Sequence, residues 1–301
     1  GLGGCIAGRN VPAAAPTKRR TPRIASDWRR VVTYPDHHLN DFCLFKDNEG
    51  TWHATGIMGT GTWESEQSLF HCAGRDLFGP WKTLDPVLTD MPESGLPPQK
   101  HAPYVVCHDN KYYMYYRRPP GTILLSLSED PDKWTGLGKE LFAELDARDV
   151  HILRIGDMFH MYYCQAAKID HDTQSCILMR RSDDLRYWSV PVVVHYDTAT
   201  PTHHSYLESP CVVQRPEGYY LFIRHRLMDK RTTTVVLFSQ RPDAFPSGDR
   251  TWFCELHDVH APEIVMDQGK FYIARVSGAP HASKHAPDRG GWIDIAELVF
   301  E

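Results

Sequence analysis

Five positions carry groups that could do chemistry together. Asp41, His101, Asp149, Glu208 and His260 each stand at or near the start of a short apolar run, as in Asn40-Asp41-Phe42-Cys43-Leu44 and Glu208-Ser209-Pro210-Cys211-Val212. A single Asp at a strand start is ordinarily a turn or a cap. Carboxyls in equivalent places of separate repeats are harder to dismiss. Three carboxyls and two imidazoles gathered in one pocket cannot all hold like charges cheaply, so at least one pKa must rise. That separation gives one site both an acid and a base at one pH. Cleaving a glycosidic bond needs that pair: a protonated carboxyl for the leaving oxygen, and a carboxylate for a water or for the anomeric carbon.

Positioning these groups requires a repeated scaffold, and a repeat runs through the chain. A turn residue followed by an aromatic strand occurs at Gly50-Thr51-Trp52, at Asn110-Lys111-Tyr112-Tyr113 and at Gly156-Asp157-Met158-Phe159. It returns at Gly218-Tyr219-Tyr220 and at Gly269-Lys270-Phe271-Tyr272. After the first four copies comes a strand ending in a polar turn with an aromatic, at Trp81, Trp134, Trp188 and Phe245. Asp and Ser initiate such turns by bonding to their own backbone. No stretch has sustained helical periodicity. Five copies at roughly 54 residues each predict a five-bladed β-propeller of four-stranded antiparallel blades around a channel. The apolar run before each hairpin then lines the channel.

The chain has 301 residues, 42% hydrophobic and 24% charged, with a net charge of −5. This is globular composition, and the mildly acidic balance argues against a nucleic-acid partner. No apolar run approaches the length of a transmembrane helix. The 8 Trp, 14 Tyr and 12 Phe suit short packed strands, and some suit a sugar-binding cleft. The eight cysteines form no CxxC pair, so a zinc ribbon or redox motif is not expected. Residues 1–30 read as a tether before a propeller domain over 31–301. Leu2-Gly3-Gly4-Cys5 resembles a bacterial lipobox, which points to a lipid anchor at Cys5 and a secreted, periplasmic or cell-surface location.

Over about residues 34 to 300 the sequence resembles the five-bladed propeller glycoside hydrolases of families 43, 32, 62, 68 and 117. The resemblance rests on the order and spacing of Asp41, Asp149 and Glu208 within the repeat. It implies Asp41 as base or nucleophile, Asp149 as the group that orients and tunes, and Glu208 as general acid. His101-Ala102-Pro103 resembles the Trp-Ala-Pro signature of family 43, with His in place of Trp. Leu39-Asn40-Asp41 and Arg148-Asp149-Val150 resemble the Asn-Asp and Arg-Asp-Pro motifs of family 32. Family 43 implies inversion and family 32 retention, and the choice turns on the carboxyl separation. The resemblance also implies an oligo- or polysaccharide substrate, a furanoside or pentose-type sugar, and exo cleavage at a closed axial pocket. No cofactor is required, although some family 43 members hold calcium in the channel, where His101 or His260 could help.

His38, Trp63, His101, Arg224 and His260 are the expected sugar contacts, with Trp63 as a stacking platform at the rim. Glu263 follows His260 by three residues and, on an extended strand, would point the other way. His203-His204 could border the pocket. The rival readings are a carbohydrate-binding propeller without catalysis, a protein-interaction propeller, and a glycoside phosphorylase using Arg224, His225 and Arg226 for phosphate.

Overall fold

The computed structural model describes residues 18–301 except 94, 135–136, 199–205, 226–232 and 278–289. Cys5, the His203-His204 pair and Arg226 lie outside the described residues.

The chain is a β-propeller. Two short strands come first, β1 (Pro22–Ile24) and β2 (Arg29–Tyr34). Blade 1 is β3 (His38–Lys46), β4 (Trp52–Gly59), β5 (Ser68–Gly74) and β6 (Lys82–Thr83). Blade 2 is β7 (His101–His108), β8 (Lys111–Arg118), β9 (Thr122–Ser128) and β10 (Lys139–Ala143). Blade 3 is β11 (Arg148–Ile155), β12 (Met158–Ile169), β13 (Asp172–Ser182) and β14 (Val192–Asp197). Blade 4 is β15 (Leu207–Arg215), β16 (Gly218–His225), β17 (Thr233–Ser239) and β18 (Cys254–His257). Blade 5 takes β19 (Glu263–Asp267), β20 (Lys270–Val276) and β21 (Gly291–Phe300) from one end of the chain, and β1 and β2 from the other.

Both β1 and β2 pair antiparallel with β21, so the fifth sheet has five strands and the ring is closed by residues far apart in sequence. This corrects the 1–30 boundary of the tether: Pro22–Ile24 and Arg29–Arg30 are part of the propeller. It also explains why the fifth repeat lacks the turn-Trp strand.

The strands are apolar on both faces because both faces are buried. Tyr112, Met114 and Tyr116 of β8 pack with Cys43, Phe45 and Leu69 of blade 1. Tyr113 and Tyr115 of the same strand pack with Val150, Ile152 and Phe159 of blade 3. Corresponding clusters join blades 3 and 4, blades 4 and 5, and blades 5 and 1. Each blade is thus glued to two neighbours, and strict polar alternation is lost where a sheet is covered twice. Asp109-Asn110 and Gln268-Gly269 supply two successive residues at positive φ, the requirement of a tight type I′ hairpin. The turn tryptophans fold back as expected: Trp134 is buried and donates to Pro131 O at 2.8 Å, Trp81 donates to Leu77 O at 3.0 Å, and Trp188 packs on Tyr115. The seven described cysteines are free thiols.

Candidate active site

The innermost strands of blades 1 to 4 are interrupted near their first residues by a β-bulge, between Asn40 and Phe42, His101 and Tyr104, Arg148 and His151, and Glu208 and Cys211. Ala102, Asp149 and Ser209, and Ala261 in blade 5, take left-handed backbone angles with φ of 45 to 58°. A non-glycine residue there is strained, and the bulge re-aims its side chain. Two successive positions per blade therefore face the channel mouth. His101, Arg148, Glu208 and His260 occupy the first, and Ala102, Asp149, Ser209 and Ala261 the second. Asp149 is thus the counterpart of Ser209, and Glu208 that of Arg148. Gly56, opposite Phe42 on β4, gives Asp41 its room: a Cβ there would lie 2.9 Å from Asp41 O and 2.5 Å from Phe42 Cβ.

Asp41, Asp149 and Glu208 are brought together. Ser209 Oγ donates to Asp41 Oδ1 at 3.1 Å, and Ser209 N–H donates to Asp149 Oδ2 at 3.0 Å, so one residue ties two carboxyls. Cys164 Sγ donates to Asp149 Oδ2 at 3.3 Å. Arg224 is the register partner of Glu208 on β16 and bonds its Oε2. Arg148 Nη2 donates to Glu208 Oε1 at 3.3 Å, while its Nη1 holds Asp146 Oδ2 at 2.5 Å. Arg117 donates to the other oxygen of Asp146 at 3.2 Å. An alternating chain of charge, Arg117–Asp146–Arg148–Glu208–Arg224, therefore runs across blades 2 to 4.

This environment separates the carboxyls. Burial, then the charges of Asp149 and Glu208, push Asp41 up to about 8, against the opposing pull of Arg224 and the Ser209 hydroxyl. Burial also raises Asp149, with Arg148 opposing and Glu208 adding. Glu208 stands between the guanidiniums of Arg148 and Arg224. Burial and its like-charged neighbours thus favour a proton on Asp41.

Strand alternation predicts that Glu263 points away from His260, yet it lines the same small cavity as Asp41, Asp149 and Ser209. Ala261 at φ 49° breaks the extended run, so the period of two does not carry from His260 to Glu263. Burial and the Asp41 charge hold Glu263 well above the ordinary carboxylic range. The cavity, of about 20 Å³, has room for about one water molecule.

The expected sugar contacts divide. His101 and His38 are buried, and Glu66 joins them, with Oε2 2.8 Å from His101 Nε2 and Oε1 2.8 Å from His38 Nε2. Burial works against the Glu66 carboxylate, but its bonds to His101 and His38 outweigh that and hold its pKa below the usual value. Trp63 is 42% exposed on a one-turn 3₁₀ helix, edge-on to the His101 ring at 4.5 Å. His260 Nε2 lies 2.6 Å from Asn40 Oδ1, which pins blade 5 to blade 1 beside Asp41. His225 turns away from Arg224 to pair with buried Asp197 at 3.0 Å, so Arg224 and His225 do not form one phosphate cradle. His101 and His260 are engaged with Glu66 and Asn40.

No protein-family profile and no curated protein matches the chain. Solved structures do. A thermostable family-43 glycoside hydrolase is 17% identical with a TM-score of 0.65, over 88% of this chain and 91% of that one. An exo-1,5-α-L-arabinanase from a bovine ruminal metagenomic library is 14% identical with a TM-score of 0.62, over 89% and 98%. A family-32 β-fructofuranosidase of Bombyx mori is 16% identical with a TM-score of 0.69, over 91% of this chain and 65% of that one. At these identities the likeness establishes the fold: this chain shares the five-bladed propeller of those glycoside hydrolases.

Proposed function

We propose that the protein is a glycoside hydrolase working at the channel mouth. The observation that carries this reading is the convergence of Asp41, Asp149 and Glu208 from blades 1, 3 and 4, tied through Ser209 and flanked by Arg148 and Arg224. Carbohydrate is the matching substrate class, and the fold neighbours support it. Glu208 protonates the leaving oxygen, Asp41 is the base or nucleophile, and Asp149 positions the pair. A closed axial site suits exo cleavage of an oligo- or polysaccharide, with a furanoside or pentose as the expected sugar. Such a substrate suits a secreted or surface-held enzyme.

The charges set a condition on turnover. Catalysis needs a proton on Glu208 and none on Asp41, so the raised Asp41 pKa has to be overcome. A sugar hydroxyl that draws Arg224 off Glu208 would release one guanidinium from the acid, and the freed guanidinium would then bind substrate. Trp63, exposed next to the His101–Glu66–His38 cluster, supplies a flat apolar face for a sugar ring.

The test is hydrolysis of aryl glycosides and short oligosaccharides by wild type and Glu208→Gln, with the product anomer followed by NMR. We expect release by the wild type, and loss of turnover in the variant on substrates with poor leaving groups. Sugar binding without turnover across a broad panel would favour the non-catalytic carbohydrate-binding reading. The product anomer separates inversion from retention.

A further inference from the structure

At the end of blade 1 away from Asp41, two buried imidazoles face each other. His53 on β4 and His71 on β5 are 2% and 1% exposed, and His53 Nδ1 lies 2.9 Å from His71 Nε2. Asp132, in the β9–β10 turn of blade 2, places Oδ1 3.7 Å from the first nitrogen and 3.8 Å from the second. Those distances are too long for hydrogen bonds. They are the right length for atoms that share an ion. The circle through the three atoms has a radius of about 2.0 Å, the length of a zinc–nitrogen or zinc–oxygen bond.

The surroundings are arranged for the same purpose. Asp47 Oδ2 stands 3.3 Å from His53 Nε2, so that nitrogen can carry the proton and leave the Nδ1 lone pair aimed at the gap. Phe45 stacks on the His53 ring at 5.0 Å and 15°, fixing its plane. Asp132 N–H donates to Asp130 Oδ1 at 3.0 Å, which sets the turn that presents Asp132. A proton between the two imidazoles would also fill the gap, but it would leave Asp132, equidistant from both rings, unexplained. Two nitrogens and one carboxylate oxygen suit a borderline transition-metal dication, whereas calcium and magnesium prefer oxygen alone.

We propose that His53, His71 and Asp132, backed by Asp47, form a zinc-class metal site that clamps blade 1 to blade 2. Asp132 is half exposed, so the fourth position is open to water. The site is separate from the channel mouth and stands whether or not the chain hydrolyses sugars.

The test is zinc titration of the chelator-treated full chain by calorimetry, with bound metal counted after dialysis and cobalt(II) as a spectroscopic probe. The wild type should bind one zinc per chain at this site, and its cobalt form should show the strong visible bands of four-coordinate cobalt. Asp132→Ala changes an exposed turn residue and should fold normally, yet bind zinc at least tenfold more weakly and lose those bands. Asp47→Asn should weaken zinc by about 10- to 100-fold. No zinc bound by the wild type, or an Asp132→Ala affinity equal to that of the wild type, overturns the proposal. His71→Gln provides a second reading if it folds, and Asp132→Ala decides if it does not.

Discussion

Replacing Asp41 with Asn should cost the protein its chemistry and make it more stable, increasingly so as pH rises. Asp41 is held at about 8 in the folded chain, against about 3.9 for an unfolded Asp. Between those values the unfolded chain gives up a proton that the folded chain keeps. The wild type therefore loses stability on this account as pH rises from about 4 to about 8, by up to about 1.4 kcal/mol per pH unit. Below pH 4 both states are protonated and the difference vanishes; above pH 8 both are ionised and it levels off. Asn cannot ionise, and its side-chain oxygen can still accept from Ser209 Oγ. The gain of Asp41→Asn over wild type should thus be small at pH 4 and widen through pH 8. Relaxation around a buried charge returns part of the full difference, so we expect the gap to grow by at least about 2 kcal/mol between pH 5 and pH 8. Urea denaturation of both proteins at four or five pH values measures it. A stability difference that stays flat across that range would refute the placement of a proton on Asp41.

Other perturbations probe the neighbouring contacts. Ser209→Ala removes the hydroxyl bond to Asp41, worth about 1 kcal/mol, and should move the base limb of the pH–rate profile upward by up to about one pH unit. Gly56→Ala drives a Cβ against Phe42 and the Asp41 carbonyl; we expect a loss of about 1–3 kcal/mol in a thermal or urea melt, with a fall in kcat. Trp63→Ala should leave the melt unchanged and raise KM by about fivefold, the equivalent of about 1 kcal/mol of lost ring contact. Glu66→Gln unties two buried imidazoles at once and should destabilise the fold by about 3 kcal/mol, whereas loss of activity alone would place Glu66 in the chemistry.

The repeat made the propeller legible, because each blade must place the same apolar run, hairpin and turn at the same depth. The same regularity singled out Asp41, Asp149 and Glu208, and the register partner Arg224 was near enough in the repeat to be noticed. The misses have one cause in common: they depend on geometry that the period of two does not encode. Alternation turns Glu263 away from the pocket, and the left-handed Ala261 turns it back. Arg148 bonds Glu208 just as its motif neighbour Asp149 bonds Ser209, but only the bulge brings both positions to blade 4. Glu66 belongs to no repeat, and its role depends on His38 and His101 lying on either side of it. The strands β1 and β2 are short and contain no aromatic hairpin, and their partner lies at the opposite end of the sequence.

That last pairing carries a mechanical consequence for the site. Asp41 belongs to blade 1, while its partners Asp149 and Glu208 belong to blades 3 and 4. Blade 1 is secured on its blade-5 side by the clasp of β1 and β2 on β21, by the shared apolar seam and by the Asn40–His260 contact. If these three holds give way together, blade 1 is left on its contact with blade 2, and Asp41 moves with it while the other two carboxyls stay together. The lifetime of activity would then measure the hold of this one seam rather than the melting of the sheets.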